Sequence, residues 1–257
     1  MQNDLQKASL WKRVAAGILD VILIVVLATG FGCVISAAVD YDTHSEANKA
    51  INQRYIAQYG IDIHMTQEKF NEMTLEEQTA YESNVEACRV AMNADEEAVR
   101  AYTIVVNLSL VVVTGGILLA VLVLELLVPI LFGNGMTVGK KVFALCLIRN
   151  DGIKLNGVQL FTRVILGKFA IEIMIPVYVG IMMYLGQTNG ILLLFTIALL
   201  IAQVIMVLAT RNHCLLHDLM AGTVVVDYGS QKIFQSTEEL IAYQKRIAAE
   251  RAARQTY

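Results

Sequence analysis

Four apolar runs, roughly 14–39, 103–132, 160–185 and 190–209, constrain this chain more than any other feature. A helix rises 1.5 Å per residue, so about 20 such residues cross a hydrocarbon core. Each run is long enough to do so. Of the 257 residues, 56% are hydrophobic and only 17% charged, against roughly 25% charged in a soluble domain. The expected fold is an all-α membrane protein with four transmembrane helices.

Lysine and arginine placement orients the spans. Lys7, Lys12 and Arg13 precede the first run. Lys140, Lys141, Arg149 and Lys154 fill the connection between the second and third, and basic residues from Arg211 to Arg254 populate the tail. The positive-inside rule puts these three regions, and both termini, in the cytoplasm. The first connection, 40–102, is the reverse: a long series of acids, among them Glu68, Glu72, Glu76, Glu77, Glu82 and Glu86, outnumbers Lys49, Arg54, Lys69, Arg89 and Arg100. It is expected outside. It lacks proline, Ser45 before Glu46 and Thr74 with Glu77 read as helix starts, and Gly60 reads as a stop. The segment is therefore an acidic helical extracytoplasmic insertion.

The chain divides into 1–39 (N-terminal segment and first span), 40–102 (insertion), 103–228 (membrane core) and 229–257 (charged cytoplasmic tail, helical from about Thr237). Gly186 to Asn189 form a short polar turn between spans three and four. Residues 142–148 and 153–155, flanking Asn150-Asp151-Gly152, read as a small β-hairpin in the cytoplasmic loop, with 224–227 a further strand beside it. The four cysteines show no paired spacing, so no disulfide framework follows. The first run, about 26 residues, exceeds the roughly 7–15 of a secretory signal and reads as a retained helix.

Charge inside these runs is expensive, about 2.5–3.5 kcal/mol at the bilayer centre. Asp20, Glu125, Lys168 and Glu172 interrupt them; Arg13, Arg163 and Asp218 lie at their borders. Counting along the helices puts Asp20 roughly 9 Å, Glu125 about 10 Å and Lys168 about 12 Å in from the cytoplasmic side. Lys168 and Glu172, at i, i+4, are placed to pair on one face, and Arg13 and Asp20 share another. Two interpretations stand side by side. In one, Arg13, Arg163 and Lys168 neutralise Asp20, Glu125, Glu172 and Asp218 as a structural network. In the other, a cytoplasm-facing cavity lets one carboxylate exchange a proton or bind a cation; Asp20, with no opposite charge within a turn, leads, and Glu125, four before Pro129, follows.

Two motifs are set aside. Gly135 to Lys141 resembles a phosphate loop but is one residue short, with no Ser or Thr after the lysine. His213 and His217 have helical metal-ligand spacing, but no Glu of the H-E-x-x-H type and no third ligand accompany them. No cofactor, metal, nucleic acid or catalytic role is expected.

Three stretches together resemble the RDD family of bacterial membrane proteins, named for one arginine and two aspartates: Arg13 to Asp20, Gly135 through the hairpin to Arg163, and Leu216 to Val226. The naming residues map to Arg13, Asp20 and Asp218, and the match favours His217 over His213. The resemblance implies a multi-pass protein of the bacterial plasma membrane and a role in transport, cation/proton exchange included. The acidic insertion is longer than the family pattern implies. Two functions follow. One is a transporter or ion-translocating protein, working as a homo-oligomer, that uses the buried carboxylates within a charge network of Arg13, Asp20, Glu125, Arg163, Lys168, Glu172, His217 and Asp218. The other is a membrane scaffold or regulatory subunit docking an extracytoplasmic partner through 40–102.

Overall fold

A computed structural model describes residues 8–184, 186, 189–210 and 213–255. Lys7, Arg211 and most of the turn at 185–188 lie outside the described residues. Four helical stretches are long and apolar enough to cross a membrane: Leu10–Ala38, Glu96–Phe132, Gly157–Tyr184 and Gly190–Ala209. The fourth has the limits expected from sequence. The second starts seven residues before 103, because the last helix of the acidic segment runs straight into it.

In chain order the helices are α1 (Leu10–Ala38), α2 (Tyr41–Tyr59), α3 (Gln67–Glu72), α4 (Leu75–Ala94), α5 (Glu96–Val121), α6 (Val128–Phe132) and α7 (Val138–Val142). Strand β1 (Leu145–Arg149) follows, then α8 (Gly157–Phe161), α9 (Met174–Tyr184), α10 (Gly190–Ala209), α11 (Leu216–Ala221), β2 (Thr223–Asp227) and α12 (Thr237–Gln255). Two π-helical segments, Leu122–Leu127 and Thr162–Ile173, sit within spans two and three. Each ends just before one of the chain's two prolines, Pro129 and Pro176. Proline lacks an N–H and its ring strikes the carbonyl four residues back; the wider π turn relieves both faults. The residues four back are Glu125 and Glu172, so both span glutamates sit where the helix is unwound to this wider pitch.

The chain folds as two compact units, residues 1–31 with 116–257, and residues 32–115. The second unit is helical. Thr74 and Glu77 close the capping box at the start of α4, and Gly60, at φ 64°, ends α2 through its N–H to Ala57. Tyr55 donates to Asp95 at 2.6 Å, and Arg54 pairs with the same carboxylate at 3.4 Å. Ser45 does not start a helix: α2 begins at Tyr41, after Asp40 breaks the chain in the left-handed region at φ 52°.

In the first unit β1 and β2 pair antiparallel, from Leu145 opposite Asp227 to Arg149 opposite Thr223. This corrects the expected hairpin. The turn at Asn150-Asp151-Gly152 forms, with Arg149 N–H donating to Ile153 O at 2.9 Å, but only one antiparallel bridge follows it, Ile148 with Lys154. The distant strand wins because it buries both faces. Leu145, Leu147 and Val225 pack with Ala16, Val121 and Val164, while Cys146, Ile148, Val224 and Val226 pack with Met136 and Cys214. A strand covered on both sides reads as a continuous apolar run. Ile153, Phe234 and Leu240 form a smaller cluster with Tyr243 that holds α12.

Candidate functional site

The charged residues of the first unit meet where α1, α7, the third span and α11 converge. Asp20 of α1 does not pair with Arg13. Its two oxygens accept from the Thr137 hydroxyl at 2.5 Å and the Gly139 N–H at 2.7 Å, so it clamps the start of α7. Only glycine allows this approach: a Cβ on Gly139 would lie 2.2 Å from the Ala16 carbonyl oxygen and 2.9 Å from Asp20.

Asp218, fully buried, is the hub. It accepts from Arg163 Nε at 3.0 Å and the Leu215 N–H at 3.3 Å, and Arg13 lies 3.5 Å away. Burial alone pushes its carboxyl up, but the Arg163 and Arg13 guanidinium groups outweigh burial and hold it well below the usual carboxylate range. His217, the next residue back, stands between two partners of opposite character. A second Arg163 nitrogen donates to Nε2 at 2.8 Å, while Nδ1 faces Glu172 at 2.6 Å. Arginine cannot accept a hydrogen bond, so Nε2 carries the lone pair and Nδ1 the proton. His217 is neutral. Burial, then Arg163, pulls its pKa below the ordinary value. Its backbone N–H also donates to Glu172 at 3.0 Å. Gly167 lets α11 settle here, since a Cβ would sit 2.6 Å from that of His217.

Lys168 and Glu172 do not pair with each other as the spacing predicts. Lys168 pairs with Glu125 of the second span, and Glu172 with His217. Partners on other helices replace the local one. Of the expected site residues, Arg13, Arg163, Glu172, His217 and Asp218 form one connected group; Glu125 and Lys168 form a pair, and Asp20 of α1 holds the start of α7.

Sequence reasoning missed Thr137, Gly139 and Lys140. They lie in the run set aside as a false phosphate loop, and nothing local marks Lys140 as buried. It is 8% exposed, and burial lowers its ammonium to about 8 against the opposing pull of Glu125. A cavity of about 550 Å³ opens among these residues, lined by Arg13, Asp20, Lys140, Arg163, Glu172 and His217.

The neutral histidine has a consequence for stability. Folding lowers the pKa of His217, so the unfolded chain binds this proton more readily. The stabilisation is complete above the unfolded value of about 6.5 and is lost as pH falls below it. The melting midpoint in detergent is expected to drop between neutral pH and pH about 5, with a shallower drop in His217→Gln. A midpoint flat over that interval would contradict the neutral tautomer.

The fold and this site define a helical membrane protein with four candidate spans and a buried ion-pair cluster between them. The chain belongs to the RDD family, whose model matches residues 7–222. No curated protein and no solved structure matches it.

Proposed function

We propose that the protein is a proton-coupled transporter of the bacterial plasma membrane, exchanging its proton at the His217–Glu172 pair. Both termini are cytoplasmic in this scheme and 40–102 lies outside, as the distribution of Lys and Arg suggests. The observation that carries the proposal is a buried histidine–carboxylate contact of 2.6 Å on the wall of a cavity lined by both signs of charge. Intramembrane ionisable groups of this kind commonly handle protons or ions.

The geometry supplies a switch. Protonating Nε2 turns an acceptor into a donor facing the Arg163 nitrogen 2.8 Å away. Two donors cannot share that contact, so Arg163 must withdraw, and it also holds Asp218. Proton uptake then loosens α11 from the third span, and release restores it. Such a two-state element is what couples a proton to a substrate. Asp20, the leading exchange candidate from sequence, serves here as the clamp on α7. Four spans enclose a thin pathway, so the working unit is a homo-oligomer.

The test is proton-coupled flux in proteoliposomes under imposed pH, sodium and potassium gradients. Wild-type protein is expected to conduct, and Glu172→Gln that remains monodisperse is expected to lose flux at least about a hundredfold, the usual lower range for a proton-transfer group. Wild-type flux in that variant would sink the assignment. If folded wild-type protein carries no flux, the second reading takes over. It is supported by the compact fold of 32–115 with its own buried residues Ile51, Cys88 and Ala98: an acidic helical unit docking an extracytoplasmic protein.

A further inference from the structure

The cavity in the first unit has a volume of about 550 Å³, inside the roughly 300–1,000 Å³ of small-molecule sites. Its carboxylates are already engaged. Asp20 is held by Thr137 and Gly139, Glu172 by His217, and Asp218 by Arg163 and Arg13. Among the cations, Arg163 is engaged with Asp218 and His217, and Lys168 with Glu125.

Lys140 differs. Its ammonium donates to the Thr137 hydroxyl at 3.3 Å, and among the described residues no carboxylate oxygen lies within 4.0 Å of it. An ammonium has three donors, so two remain for whatever enters the cavity. Glu125 and Asp20 attract the Lys140 ammonium from beyond 4.0 Å, and an anion in direct contact adds the acceptors those two carboxylates do not supply. Arg13, Arg163 and Lys168 line the cavity too, each already set against a carboxylate, which leaves Lys140 as the lining cation with donors to spare.

Part of the wall is hydrocarbon. Ile18, Val21 and Ile22 of α1 line the cavity, yet they are 57%, 54% and 53% exposed. The same side chains face both the cavity and the outer surface of a membrane-spanning helix, so the cavity opens sideways along α1. A small aqueous anion gains nothing from that wall, whereas an acyl chain does. We propose that the cavity binds an anionic phospholipid from the surrounding bilayer, its acid headgroup on Lys140 and its hydrocarbon along Ile18, Val21 and Ile22. This goes beyond proton coupling and does not depend on it, since binding and flux are measured separately.

The test uses the full-length chain in nanodiscs holding equal phosphatidylglycerol and phosphatidylcholine, with retained lipid identified by native mass spectrometry after release. Wild-type protein is expected to retain phosphatidylglycerol about tenfold over phosphatidylcholine, whose phosphate is offset by its own choline cation and therefore offers Lys140 no net charge. Lys140→Gln should bring the ratio near one. Ile18→Trp, at an exposed position, should lower retention with Lys140 intact, so the proposal stays testable if Lys140→Gln does not fold. Equal retention of the two lipids by wild type, or an unchanged ratio in Lys140→Gln, overturns the proposal. So does thermal stabilisation by millimolar inorganic phosphate that matches that of phosphatidylglycerol, because the ligand would then be an aqueous anion.

Discussion

Asp218→Asn is expected to cost about 3–5 kcal/mol of stability, because it takes the counterion from the buried Arg163 guanidinium and removes a nearby carboxylate charge from Arg13. Asp218 is completely buried and takes Arg163 at 3.0 Å, Arg13 at 3.5 Å and the Leu215 N–H at 3.3 Å. Asparagine keeps one acceptor oxygen and turns an NH2 group toward donors, which adds an unmatched contact to the lost charge. For a chain of this size the melting midpoint in detergent should fall by about 6–20 °C. The double variant Asp218→Asn with Arg163→Gln should recover part of this loss, with a coupling of about 0.5–3 kcal/mol. A midpoint within experimental error of wild type in the single variant would show that Asp218 is not the hub of the cluster.

Gly139→Ala should be nearly as damaging by a different route. The added Cβ would stand 2.2 Å from a backbone oxygen of α1, where no flexible side chain can yield. Either α7 lifts away, breaking the 2.7 Å bond from its N–H to Asp20, or α1 shifts. Overpacking of this kind costs typically 1–3 kcal/mol and more when both partners are backbone. Gly17→Ala, on the same helix α1 and with nothing within 4 Å of its Cβ, is the control. It should be neutral or stabilising by up to about 1 kcal/mol, since alanine favours helix over glycine. Equal melting midpoints for the two variants would refute the close packing of α7 on α1.

Much of this protein is legible along the chain because the relevant forces are local. Lipid demands internally satisfied backbone over some twenty residues, and α10 accordingly occupies Gly190–Ala209 with the limits its hydropathy predicts. The Thr74–Glu77 box and the Gly60 stop are three- and four-residue events, and the tail helix starts at Thr237. Charge in an apolar run also announced that Glu125, Lys168 and Glu172 needed partners. Which partners they found was not announced. Lys168 crosses to Glu125 and Glu172 to His217, because π-helical turns ahead of Pro129 and Pro176 change the pitch of both spans and because Gly167 brings α11 close enough to compete.

The same division holds for the site. Arg13, Asp20 and Asp218 are marked by sequence, yet only the tertiary structure separates their work: Arg13 joins Asp218, while Asp20 holds α7 through Thr137 and Gly139. Lys140 looked like part of a failed phosphate loop until α7 buried it. The sheet follows the same logic, since the hairpin partner of β1 is nearest in the chain but β2 covers more apolar surface. By itself the sequence determined the four membrane-length helices, the family and the set of charges that must be neutralised, because hydrophobic length and ionisation are properties of the chain. Pairing, tautomer and cavity depend on helix rotation and on contacts a few ångströms wide between distant residues, and only the tertiary structure decided those.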